Sequence, residues 1–164
     1  FTVKVHIPKR DVSELYPSAP DANGVTSIAL NGETVTPDID KGYAVFNRAW
    51  NAGDKIDLVL PMRIQRVKAS DQIAADRGRV ALRYGPLVYN FESVDQDLTG
   101  ILEPNTPLTA EWKPDLLKAV NGAPEGVIVI KGAFASGTPL LAIPNYARNN
   151  RKVGTPSIVW IKDQ

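Results

Sequence analysis

The stretch Arg77–Glu92, RGRVALRYGPLVYNFE, decides the fold. Val80, Leu82 and Tyr84 alternate with their neighbours, and Leu87, Tyr89 and Phe91 resume the alternation beyond Gly85–Pro86. Period-two apolar spacing is what a strand with one buried face requires, because successive side chains point to opposite sides. Gly85 accepts backbone conformations barred to other residues, and Pro86 cannot donate to a sheet ladder. The pair is predicted to mark a bend or bulge between two strands, with Tyr84 and Tyr89 filling or rimming a core. Such a stretch is a fold signature rather than a site.

The same alternation extends outward in both directions, punctuated by turn residues every ten or so positions. In TSIALNGETV, Asn31–Gly32 suit a type I′ turn joining Ser27–Leu30 to Glu33–Thr36 as a hairpin. YAVFNRAW and NAGDKIDLVLPM are predicted to form another pair, stopped by Pro61. RIQRVKAS is a shorter strand, and DQIAADRGR a loop or single helical turn. The alternation fades between Ser93 and Glu125, where only KPDLLKAV suggests a short helix, with Pro114 near its start. Strands resume in GVIVIKGAFA, TPLLAIPNY and SIVWIK. The pattern predicts an all-β chain with little helix: an antiparallel, jelly-roll-like β-sandwich architecture. Residues 1–62 are expected to form the end of one incomplete sandwich and residues 63–164 a second. FTVKVHIP opens already inside a strand, so the sequence reads as a piece cut from a longer polypeptide.

Composition narrows the chemistry. The 164 residues carry 19 basic and 18 acidic side chains. A balance this even argues against a nucleic-acid partner, which would show a basic stripe. The sharpest basic group, RNNRK at Arg148–Lys152, reads as a solvated loop. There is no cysteine, hence no disulfide, thiolate nucleophile or sulfur-ligated metal, and no redox clue to choose between bacterial periplasm and cytoplasm. No apolar run approaches the ~20 residues of a membrane-spanning helix, so no membrane partner is expected.

Candidate reactive groups are few. His6, the only histidine, sits mid-strand opposite the Val3 and Val5 face, and one histidine does not make a zinc site. Glu92, Asp95 and Asp97 are close in sequence, as the two carboxyls of a glycosidase must be close in space, but a strand end running into a polar loop points to turn and hydrogen-bonding roles. KGAFASGTP lacks the spacing and lysine of a phosphate-cradling loop. No catalytic, cofactor-binding or metal-ligating residue is assigned. Among the aromatics, Trp160 in the apolar VWI run is expected in the core, whereas Trp112, in the irregular segment, is the best candidate for an exposed ring. Trp112, Tyr146 and Arg148 are the candidate sugar-contact residues.

Five segments in order, ALNGETV, KGYAVFNRAWNAGDKIDLVLPM, RGRVALRYGPLVYNFESVD, LLAIPNYARNNR and SIVWI, resemble the C-terminal region of the β-L-arabinofuranosidase-like glycoside hydrolases of family 127, long catalogued as a domain of unknown function. The resemblance spans essentially the whole chain. It implies a catalytic (α/α)6 barrel elsewhere in the same parent polypeptide, with a zinc-bound cysteine nucleophile, followed by β-sandwich domains. None of the barrel motifs occurs here, so no catalytic residue carries over and no cofactor is expected in this chain. The implied role is a non-catalytic accessory region supporting that barrel in an enzyme acting on arabinofuranosyl-containing glycans. A stand-alone carbohydrate-binding module or a structural interaction domain is the alternative. Two departures stand out: VHIPKRDVSELYPSAP carries a longer insertion than relatives have before the hairpin, and Asn90 stands where a cysteine is common.

Overall fold

A computed structural model describes residues 1–8, 13–22, 24–118 and 124–163. Its strands are β1 (Thr2–His6), β2 (Ser18–Ala19), β3 (Ser27–Leu30), β4 (Glu33–Thr34), β5 (Asp38–Asp40), β6 (Tyr43–Asn47), β7 (Ile56–Val59), β8 (Ile64–Lys68), β9 (Arg79–Tyr84), β10 (Leu87–Glu92), β11 (Thr109–Lys118), β12 (Pro124–Ala133), β13 (Pro139–Pro144), β14 (Ser157–Ile158) and β15 (Ile161–Lys162). Helical geometry among the described residues is confined to two 3₁₀ turns, Ala74–Asp76 and Asn145–Ala147. The chain is all-β and antiparallel, as the alternation predicts. It divides into two compact units, Phe1–Asp11 with Ala22–Met62, and Val12–Asp21 with Arg63–Gln164.

The first unit holds two three-stranded sheets, β1-β6-β5 and β4-β3-β7. Ile28 from one sheet and Ala44 and Phe46 from the other are buried together, with Val3, Val5, Ile7 and Ile56 packed around them. Burying each large side chain of this kind contributes about 1.5–3 kcal/mol before conformational entropy is subtracted. The Asn31–Gly32 hairpin forms with both residues at positive φ, 52° and 85°, as type I′ requires. The pairing expected between YAVFNRAW and NAGDKIDLVLPM does not form: β6 lies between β1 and β5, while β7 pairs with β3. The connection between them crosses from sheet to sheet and is pinned by Asp54. Its carboxylate accepts hydrogen bonds from Asn51 N and Asn31 Nδ2, both at 2.9 Å, and these donors hold its pKa below the usual aspartate value.

The second unit is one nine-stranded sheet with the path β11-β12-β13-β10-β9-β8-β2, β14 joining β10 and β15 joining β9. Gly85–Pro86 forms a two-residue hairpin turn rather than a bulge, with Tyr84 opposite Leu87. Gly85 has φ +56°, and Pro86, locked near −65°, excludes type I′; type II′ geometry remains. The hairpin stays closed for only two residue pairs, Tyr84–Leu87 and Arg83–Val88. Beyond Val88 it splays. Tyr89 and Asn90 pair with Pro144 and Ile143 on β13, and Phe91 and Glu92 with Ile158 and Ser157 on β14. On the other arm, Val80 and Arg79 pair with Ile161 and Lys162 on β15. Ser157–Lys162 thus fills the gap between the splayed arms, satisfying backbone groups that splaying would leave open. Curling the sheet this way surrounds a core of Val80, Leu82, Tyr89, Phe91, Leu102, Ile130, Leu140 and Ile161, while Leu117, Val127, Val129, Ile143 and Ala147 pack on the opposite face of β11–β13.

The short helix expected in Lys113–Val120 is absent over its described part: Lys113–Lys118 belongs to β11, and Ala119–Val120 lie outside the described residues. Pro114 fits because β11 is the sheet edge and its register with β12 shifts between Lys113 and Leu117, so no ladder donor is needed there.

Candidate functional site

The structure moves Trp112 from the expected loop into β11, directly opposite Ile128 on β12. The indole is 60% exposed and lies across Gly126, where a β-carbon would fall 2.0 Å from Cζ2 and 2.5 Å from Cη2. Only glycine leaves room for the ring there. The tyrosine hydroxyl of Tyr89, whose side chain is fully buried, donates to Ile128 O at 2.9 Å. That residue faces Trp112 across the ladder. Burial, and then the nearby phenols of Tyr146 and Tyr84, push the Tyr89 pKa up to about 12. Tyr146 is 70% exposed on the Asn145–Ala147 turn that follows β13, anchored by buried Ala147. Arg148 follows the same turn and is exposed, and no contact among the described residues ties it to the indole.

The three clustered carboxylates have structural work. Arg151 Nη2 reaches Glu92 Oε2 at 2.6 Å and Asp95 Oδ2 at 2.5 Å, and Nη1 reaches Asp95 Oδ1 at 2.7 Å. Glu92 is buried, and its other oxygen accepts Asn149 N at 2.7 Å. Hydrogen bonding first to Asp95 and then to Glu92 raises the guanidinium pKa. The expected solvated RNNRK loop is thus corrected at Arg151, which locks this loop to the end of β10. Asp97 accepts Thr99 N and Oγ1, each at 2.9 Å, and those bonds lower its pKa.

The other aromatics pack. Trp50 stacks on Phe1 at 5.9 Å and donates Nε1–H to Phe1 O, and His6 meets Tyr43 edge-on at 5.2 Å. Trp160 is half-buried rather than in the core, tilted against Tyr16 at 5.8 Å. The two rings, with Val67, Ala81, Val88 and Arg83, line a mainly apolar cavity of 280 Å³. Gly126 and Tyr16 were not singled out by the sequence pattern. The signal that could have found Gly126 is a glycine within a strand, here the third residue of β12, which marks a close approach.

Among the described residues no group of three or more His, Cys, Asp or Glu side chains is placed to hold a metal. With no cysteine in the chain either, its residues do not fit the thiolate-bound zinc implied by the family resemblance. No helix among the described residues is long and apolar enough to cross a membrane.

Together these features define an antiparallel β-sandwich module with an exposed aromatic seat and a salt-bridged carboxylate cluster. The profile of the glycoside hydrolase family 127 C-terminal domain matches residues 64–162, more than half of the chain, and the chain belongs to that family. A non-reducing end β-L-arabinofuranosidase from Bifidobacterium longum subsp. longum is 32% identical over 76 residues, 45% of this chain and 11% of that protein. Among solved structures, the GH127 β-arabinofuranosidase BT3674 superposes with TM-score 0.81 and 27% identity, covering 100% of this chain and 28% of that one. A GH127 β-L-arabinofuranosidase from Geobacillus stearothermophilus T6 gives TM-score 0.72 and 28% identity over 99% of this chain and 32% of its own. The chain thus spans under a third of each of these relatives.

Proposed function

We propose that this chain is a non-catalytic accessory region of a glycoside hydrolase acting on arabinofuranosyl-containing glycans, and that it supports a catalytic helical barrel in the same parent polypeptide. The observation that carries the reading is the match of residues 64–162 to the family's C-terminal domain. The arabinofuranosidase names of the relatives support the substrate class, and the small share of each relative that the chain covers supports a larger parent. The fate of the carboxylates supports the non-catalytic part. Both carboxyls of a glycosidase need access to the sugar, whereas Glu92 and Asp95 are held by one guanidinium. The sandwich contributes packing surface, and domain interfaces of this kind bury about 600–1,500 Å².

The test is turnover of an aryl β-L-arabinofuranoside. The purified 164-residue chain is expected to release no aglycone, while the parent polypeptide does so whether residue 92 is Glu or carries Glu92→Gln. Hydrolysis by the chain alone, abolished by Glu92→Gln, would falsify the reading.

A further inference from the structure

We propose that Trp112, seated on Gly126, is a stacking platform for a neutral sugar ring, and that its ligand is an arabinofuranosyl-bearing oligosaccharide; the identity of the sugar rests on the proposed function above, the platform itself on the geometry.

A sugar ring presents C–H bonds on its face and hydroxyls at its rim. It pairs with a flat aromatic surface whose surroundings leave the ring approachable. Two observations meet that requirement at one place. First, the indole lies against the Gly126 backbone, since a β-carbon there would overlap three of its ring atoms at 2.0–2.6 Å. The indole is thereby set against the sheet, and 60% of the residue is left to solvent. A ring already held in its binding orientation loses little conformational freedom when a ligand arrives. Second, the floor beside it is rigid: Ile128, paired with Trp112, receives the hydroxyl of fully buried Tyr89 at 2.9 Å. Trp and Tyr join an apolar face to a polar edge, which is the dual surface a sugar needs. A core-covering role, the commoner use of an edge tryptophan, would have left less of the residue to solvent than the 60% observed.

The chain has three tryptophans, so its indole N–H resonances in a ¹⁵N-labelled sample make three separate reporters. Titration of the full chain with an arabinofuranosyl oligosaccharide is expected to shift the Trp112 signal alone, saturating with a dissociation constant on the order of 1 mM, while Trp50 and Trp160 stay in place. Trp112→Ala removes the response. Gly126→Ala keeps the indole but displaces it, and is expected to weaken binding on the order of tenfold, with the Trp50 and Trp160 signals confirming an intact fold. Three outcomes overturn the proposal: no Trp112 shift at millimolar sugar, an equal shift with xylo- or gluco-oligosaccharides, or a silent titration together with loss of the barrel's hold on the chain in Trp112→Ala, which would make this face a protein interface. None of these readouts depends on turnover, so failure here leaves the accessory reading to its own test.

Discussion

Tyr89 shows how one side chain serves the sheet, the core and the candidate platform together. Its ring lies in the core formed by β9, β10, β12 and β13, and its hydroxyl satisfies Ile128 O across that core. Burial of a phenol disfavours the phenolate, so the folded pKa rises from 10 to about 12. A pKa higher in the folded state means that the stabilisation is complete below pH 10 and is lost progressively as pH climbs from about 10 towards 12. Tyr89→Phe should therefore lower stability near neutrality by about 1 kcal/mol through the lost hydrogen bond. It should also flatten the alkaline limb relative to the parent chain. Urea unfolding at stepped pH measures both; parallel alkaline limbs would show that Tyr89 does not titrate as its burial requires. The residue was legible in the sequence as a core tyrosine. Its hydroxyl partner was not, because a backbone carbonyl on a strand some forty residues away leaves no mark in local spacing.

At the level of elements, the hydrophobic alternation in β9, β10 and β12 declared those strands directly, and Asn31–Gly32 declared its hairpin down to the turn type. Reading failed where a segment's partner lies far off in sequence. β6 and β7 are neighbours along the chain but belong to different sheets, since the turn at Asp54 carries the chain across the core instead of doubling it back. β11 looked irregular because an edge strand with a register shift tolerates Pro114 and exposes polar residues on both sides. The site was affected in the same way: Trp112 was singled out correctly as exposed, but its support on Gly126 depends on strand pairing. The RNNR segment misled for a related reason, as its basic residues looked solvated until Arg151 was brought to Glu92 and Asp95. That clamp ties the Asn145–Pro156 connection to β10. Replacing Arg151 by Met leaves the buried Glu92 carboxylate unpaired, and the expected loss is about 3–5 kcal/mol. The double replacement Glu92→Met with Arg151→Met should recover part of that loss, because only the Asp95 carboxylate, which keeps some access to solvent, is then left without its cation. Denaturant midpoints of the two variants decide. A single-variant loss below about 1 kcal/mol would rank the clamp with ordinary surface pairs.

On the scale of the whole molecule, the chain does not finish one unit before starting the next. Residues of the segment Val12–Asp21 belong with the second unit, although they precede most of the first. There β2 covers the edge of β8, Lys68 N and Ser70 N donate to Pro17 O at 3.0 Å and Leu15 O at 2.7 Å, Gln65 Nε2 reaches Pro20 O at 2.7 Å, and Tyr16 packs on Trp160. An open edge next to an apolar cavity is an invitation to pair with another chain, so this strap should govern solubility as well as stability. A fragment of residues 63–164 is accordingly expected to melt below the second unit of the intact chain, to associate with concentration, and to show a red-shifted Trp160 emission once Tyr16 is gone. A synthetic peptide of residues 13–22 added in trans should restore the melting temperature with a dependence on peptide concentration, as mass action requires for a ligand that binds only the folded state. Tyr16→Ala in that peptide should weaken the rescue while leaving the β2–β8 pairing to act. If the fragment melts like the second unit of the intact chain and ignores the peptide, the strap is a passive connection, and the segment before the Asn31–Gly32 hairpin has some purpose other than closing this edge.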